Sequence, residues 1–162
     1  MPFTEDGVRV DLLLNLLAII NRTTSMPLFE LAITSISRQI TKKMATLPTL
    51  TEKNNLLVEY LSMFSKKEVN EYLDYYNSLT DREKEESIED TIENGIYLYQ
   101  PPIHEEEAIF HRINRIIQRF DFIHPDTIYV KKWGRTYKTL NTNWIGDMYI
   151  LEQFEARSSD AA

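Results

Sequence analysis

The sequence predicts an α+β fold, and three observations predict it. Apolar residues recur at helical spacing through much of residues 25–120, and short runs rich in β-branched and aromatic residues crowd the chain after residue 127. The apolar run 12–20, broken only by Asn15, is too short to cross a bilayer, which takes about 20 apolar residues. It is therefore expected in a core.

In chain order, Thr4-Glu5-Asp6-Gly7 supplies turn chemistry, and Val8, Val10 and Leu12 then alternate with Arg9 and Asp11, which predicts a half-buried strand over 8–14. Thr24 or Ser25 can cap a helix with Pro27 in its first turn. Leu28, Ala32, Ile36 and Ile40, with Phe29 and Ile33 beside them, give its apolar stripe to about Ala45, and Pro48 ends it. A second helix from Thr51 carries Leu56, Leu57, Tyr60, Leu61 and Phe64. Ser65 and Glu68 have capping-box spacing before Val69, Tyr72, Leu73 and Tyr76, and Thr80 with Glu83 repeats it. In the helix after Thr80 only Ile88 and Ile92 stand among charges, so residues 80–93 are expected to be an exposed add-on. After Asn94-Gly95, Ile96 to Tyr99 reads as a strand stopped by Pro101-Pro102. A helix is predicted over 105–120, with Ile109, Ile113, Ile116, Ile117 and Phe120 inward. Runs 127–133, 137–140 and 144–154, punctuated at Gly134 and at 141–143, complete a small antiparallel sheet.

At 162 residues and 43% hydrophobic content the chain is at most one domain of ordinary size with enough apolar material for a core. A net charge of −7 implies no general polyanion-binding surface. The charge is nevertheless divided. Residues 59–94 hold eleven Asp/Glu against four Lys/Arg, whereas residues 111–139 hold Arg112, Arg115, Arg119, Lys131, Lys132, Arg135 and Lys138 against Asp121 and Asp126. That predicts an acidic, solvent-facing stretch and a basic face toward the C-terminus. The absence of cysteine excludes disulfides and thiolate metal sites and suits a reducing cytoplasm. Met1 is followed by Pro2, Glu5 and Asp6 rather than a basic segment, so no cleavable signal is expected.

Two runs carry a resemblance. Met1, Pro2, Phe3, Gly7, Val10, Asp11, Leu14, Asn15 and Arg22, followed by Phe29-Glu30, resemble the run M-P-[FY]-x-[DE]-x-G-x-x-V-D-[IVL]-[IVL]-L-N-P-x-G-[VI]-P-S-R of the β subunit of multisubunit RNA polymerases. Leu16, Ala18, Ile20 and Asn21 depart from it where the family has Pro, Gly, Pro and Ser. Near the other end, Gly134-Arg135-Thr136 and Gly146-Asp147-Met148-Tyr149-Ile150-Leu151 resemble the family's D-G-R-T-G and V-G-x-M-Y-[IM]-L-K-L runs, and Ala156-Arg157-Ser158-Ser159 its A-R-S-T. The anchors fall in family order across nearly the whole chain.

The resemblance implies a β-like part of an RNA polymerase, from a phage or virus whose large subunits are split among polypeptides, working in the host cytoplasm or virion. By the same token it implies a partial double-psi β-barrel and hybrid-binding region, not a self-contained domain. Residues 1–24 would complete the barrel, 25–93 would be helical with an acidic insertion at about 77–93, and 94–162 would lead toward the clamp. Arg22, Arg135 and Arg157 would contact nucleic acid, Arg22 gripping phosphates of the template or the RNA–DNA hybrid through its planar fork. No clustered carboxylates of the kind two-metal chemistry requires occur here, so catalytic Mg²⁺ is expected on a partner β′-like subunit and no cofactor on this chain. The implied partners are the remaining β-like and β′-like polypeptides, template DNA and hybrid, with no membrane.

Other constellations have plainer readings. His104, Glu107 and His111 fall at i, i+3 and i+7 and have the residue types of a two-His-one-carboxylate metal site, the basis of a rival reading as a small metal-dependent enzyme. Glu107 and His111 are more simply an i,i+4 surface pair. His124-Pro125-Asp126 is similar to the J-domain signature, but the stretch after it is β-rich. A second rival is a free-standing α+β adaptor whose acidic helix binds a basic partner.

Overall fold

The computed structural model describes residues 1–14, 26–98 and 109–148. Among these the chain is α+β, with five helices and a small open three-stranded antiparallel sheet. No described helix is long and apolar enough to cross a membrane.

Helix α1 (Met26–Thr46) is the hub. Ala32, Ile36, Ile40 and Met44 succeed one another at i+4 and so stack in one line along its surface, the last three sealed from solvent. Helix α2 (Leu50–Ser62) closes over that line with Leu57, Tyr60 and Leu61. It starts slightly earlier than the spacing predicts, because the Thr49 hydroxyl accepts the Glu52 N–H at 3.2 Å and caps it. Tyr60 is fully buried, its hydroxyl 2.8 Å from Ser37 Oγ, and burial pushes its phenol far above the ordinary value. It is a core residue with a satisfied polar tip. Helix α3 (Lys66–Ser78) begins at Ser65, which accepts the Glu68 N–H at 3.4 Å, and buries Val69 and Tyr76. Helix α4 (Asp81–Asn94) has the complete capping box expected at Thr80 and Glu83, and bonds from Thr80 hold the Glu83 carboxyl below its ordinary value. In helix α5 (Ile109–Arg119), Ile109, Ile113 and Ile116 face inward.

The acidic helix is not an exposed add-on. Ile88 is 1% exposed, Ile92 packs against the same core, and α4 lies on both α1 and α2. One line of contact is all an outer helix of a bundle needs, so a thin apolar stripe suffices. Its charged residues occupy the remaining face.

Strands β1 (Pro2–Thr4), β2 (Ile128–Lys132) and β3 (Arg135–Lys138) pair in that order. The strand predicted over 8–14 does not form. After the turn, where Gly7 takes φ +84°, the chain returns only far enough for Arg9 to bridge Phe3; Val10 is buried, but Leu12 and Leu13 are exposed. Thr4 donates its N–H to Val8 O at 2.8 Å and Val10 donates to Pro2 O at 2.9 Å, so the three residues of β1 offer an edge long enough for a single bridge and the alternating residues beyond Val10 have no partner strand. Leu12, Leu13 and Leu14 are outside any core, and residues 15–25 lie outside the described residues.

Two further strands are corrected. Ile96 and Leu98 rest on the core without strand pairing, and Tyr99 falls outside the described residues. Residues 144–148 dock on α1 instead of extending the sheet. Thr34 Oγ1 donates to Asp147 O at 2.8 Å, and a Cβ on Gly146 would stand 2.7 Å from both Leu31 O and Ser35 N. Only glycine permits that approach. Residues 149–154 lie outside the described residues.

The burial of Ile88 gives a direct stability expectation. Ile88→Ala should cost about 2–5 kcal/mol, as deletion of a sealed core side chain does, while Glu89→Ala on the exposed face should stay within roughly 0.5 kcal/mol. Urea midpoints of the two variants check this.

Candidate nucleic-acid interface

The antiparallel register sorts the hairpin of β2 and β3 into two faces, since paired residues share a side and neighbours alternate. Val130 pairs with Tyr137 and Lys132 with Arg135, on the same side as Thr4 and Ile128, both buried. Tyr129 pairs with Lys138 and Lys131 with Thr136, on the side of Phe3. The hairpin leaves the body as it runs. Burial falls along β2 from Ile128 to Lys132, and all four residues of β3 are exposed.

On the outer face Phe3 and Tyr129 stack with ring centroids 5.9 Å apart, and Lys131 Nζ sits 5.6 Å from the Phe3 ring. At the apex, Trp133 and Gly134 are the two central residues of the turn. Both have positive φ, +51° and +73°, which is what a two-residue hairpin turn of type I′ demands. Lys132 Nζ lies 4.2 Å from the Trp133 ring centroid. Among the described residues no carboxylate pairs with Lys131, Lys132, Arg135 or Lys138.

The basic face predicted over 111–139 thus divides in two. The helix arginines serve the body: Arg112 is buried over the Phe64 ring, Arg115 Nη2 donates to Met63 O at 3.2 Å, and Arg119 pairs with Glu59. The hairpin cations project outward. Of the predicted nucleic-acid contacts, Arg135 is exposed beside the apex, whereas Arg22 and Arg157 lie outside the described residues. So do His104 and Glu107; His111 is exposed on α5 next to Phe110. Among the described residues no group of three or more His, Cys, Asp or Glu side chains is placed to hold a metal.

Polar ties position the sheet on α1. Arg38 Nη2 donates to Asp126 Oδ2 at 2.9 Å, Gln39 Nε2 to His124 O at 2.9 Å, and the His124 N–H returns to Gln39 Oε1 at 3.0 Å. Asp126 also exchanges two backbone bonds of 2.8 Å with Asn143. His124-Pro125-Asp126 is therefore the hinge between helices and hairpin. The spacing of charges alone marks Arg135, but it does not mark Trp133 or the Phe3–Tyr129 pair. The signal for the apex is Lys132-Trp133-Gly134-Arg135, a turn dipeptide with a bulky ring where Asn is usual.

No protein-family model matches the chain, and no curated protein matches it significantly.

The Arg38–Asp126 tie should matter because both side chains are largely withdrawn from water. Asp126→Ala should destabilise by about 1.5–3 kcal/mol, the range for a charge-assisted bond, and combining it with Arg38→Ala should cost less than the sum of the two. A double-mutant cycle by chemical denaturation measures the coupling.

Proposed function

We propose that the chain is a β-like part of a multisubunit DNA-directed RNA polymerase, contributing scaffold and contacts to template DNA and the RNA–DNA hybrid. One observation carries the reading. The two runs that resemble the β subunit lie at opposite ends of the sequence, yet Phe3 of the first pairs with Tyr129, and β2 pairs in turn with the strand that holds Arg135 and Thr136 of the second. Runs that belong to one functional unit are expected to meet in space, and Pro2-Phe3 of the first shares one sheet with Arg135-Thr136 of the second. The unpaired cations of the hairpin support a polyanionic partner despite the chain's net charge of −7.

In this reading the sheet becomes part of a double-psi barrel only with strands from other polypeptides. Catalytic Mg²⁺ belongs to the β′-like partner, and this chain supplies no metal ligand. Arg135 contacts phosphate from the hairpin, and Arg22 and Arg157 do so from their own segments. The polymerase acts in the host cytoplasm or the virion, and its large subunits are split as in a phage or virus.

Mass spectrometry of what co-purifies with the tagged native chain tests this. The remaining β-like and β′-like polypeptides should appear in fixed proportion, and the complex should hold template. Arg22→Ala should leave that complex assembled but shorten the half-life of its elongation complexes and lower their salt dependence by roughly one counterion. The effect should not depend on template sequence, since phosphates carry no base information. Recovery of the chain alone, or with unrelated proteins, contradicts the reading.

A further inference from the structure

We infer that Trp133 at the hairpin apex is a stacking platform for an unpaired base of a single-stranded nucleic acid, with Lys132 and Arg135 holding the flanking phosphates. The inference rests on the nucleic-acid role proposed above and names the form of nucleic acid that the hairpin takes.

Two features of the apex disfavour the isolated chain. Trp133 occupies the left-handed region at φ +51°, which a bulky side chain rarely adopts and which Asn or Gly would fill at less cost. Its ring gains little packing in return, being 84% exposed with the Lys132 ammonium as its neighbour. Directly beneath, Lys132 faces Arg135 as a cross-strand pair, and like charges placed opposite repel. A single kind of ligand would cover the ring and relieve the repulsion. An anion between Lys132 and Arg135 removes the repulsion, and a flat π-system on the open face of Trp133 covers the exposed ring.

A nucleotide strand joins phosphate and base in one residue and so offers both groups to adjacent side chains. The base must be unpaired, because in a duplex both of its faces are already stacked. The other face of the hairpin has the same character: Lys131 and Lys138 lie there with the Phe3–Tyr129 stack, and residues 131–138 carry four cations and no acid in a chain whose net charge is −7. A basic groove interleaved with aromatic rings is the general form of single-strand binding surfaces.

The variant that decides the matter is Trp133→Asn, because Asn-Gly suits this turn better than Trp-Gly and the hairpin should hold or tighten. The full chain, wild type and W133N, is titrated with a short oligo(dT) strand, with the same strand in duplex with oligo(dA), and with anionic phosphatidylglycerol vesicles, following tryptophan fluorescence and anisotropy across a salt series. Wild type should bind oligo(dT) with quenching and prefer it to the duplex. W133N should keep its melting temperature, lose the quenching and bind oligo(dT) roughly 5- to 150-fold more weakly, the range that loss of one stacked base implies. Its salt slope should be unchanged, since the phosphate contacts remain.

Equal oligo(dT) affinity of W133N and wild type overturns the stacking role, and if Lys132→Ala with Arg135→Ala still abolishes binding, the wider nucleic-acid reading survives that failure. Absence of any oligo(dT) binding, or equal binding to duplex or vesicles, also overturns it. Loss of co-purifying polypeptides from W133N with oligo(dT) binding intact makes Trp133 a protein contact instead. Failure of the polymerase reading itself is seen separately, in the identity of the polypeptides that co-purify with wild type.

Discussion

The sealing of one line of side chains on α1 is the constraint on which the rest of the structure depends. Ile36, Ile40 and Met44 retain no exposure, and three outer helices are placed by what they bring to that core: Tyr60 from α2, Ile88 from α4 and Ile116 from α5, all similarly sealed, while α3 packs on α2. Close packing of this kind leaves little latitude for the helices to shift. It also consumes most of the large apolar side chains of the helices, so the sheet is held by different means. Arg38, Gln39 and Thr34 leave the same helix on its other sides and hold the hinge at 124–126 and the segment at 146–147 through directional hydrogen bonds. The hairpin is therefore oriented by the core without being buried in it.

Charge obeys the same division of labour. On the helical body, acidic residues of α3 and α4 face solvent, while on α5 Arg112 is buried over Phe64 and the exposed Arg115 and Arg119 are tied to Met63 O and Glu59. Lys66, Lys67, Arg82 and Lys84 stand among the acids of α3 and α4, whereas residues 131–138 hold four cations and no acid. In the proposed role, this division would let a chain of net charge −7 meet a polyanion at the hairpin while its acidic helices repel it.

Much of the helical body is legible in the sequence. Periodic stripes at 32–44, 57–61 and 109–116, and the Ser65 and Thr80 caps, are local signals that tertiary contacts only reinforce. The errors fall where the deciding contact is distant. Val8 to Leu12 alternate like a strand, but the strand is Pro2–Thr4, whose partner β2 is more than a hundred residues away and whose three residues are too few for a periodic signal. Residues 144–148 have strand composition, yet Gly146 brings them against the backbone of α1. The acidic helix looks dispensable in sequence because a count of apolar residues does not reveal that one of them, Ile88, lands in the centre. At the interface, Arg135 is legible as part of a basic run. Trp133 acquires meaning only once the register makes it the apex of a turn.

The fold joins a close-packed helical body to a basic, aromatic hairpin, and ultraviolet cross-linking of the native complex tests most directly the proposal that this hairpin meets nucleic acid. The tagged chain is irradiated with its nucleic acid bound, digested, and its cross-linked peptides are identified by mass spectrometry. Adducts concentrated within residues 131–138, with α3 and α4 unmodified, are the expected result. Adducts confined to other segments, with the hairpin peptides recovered intact, would contradict the hairpin's role.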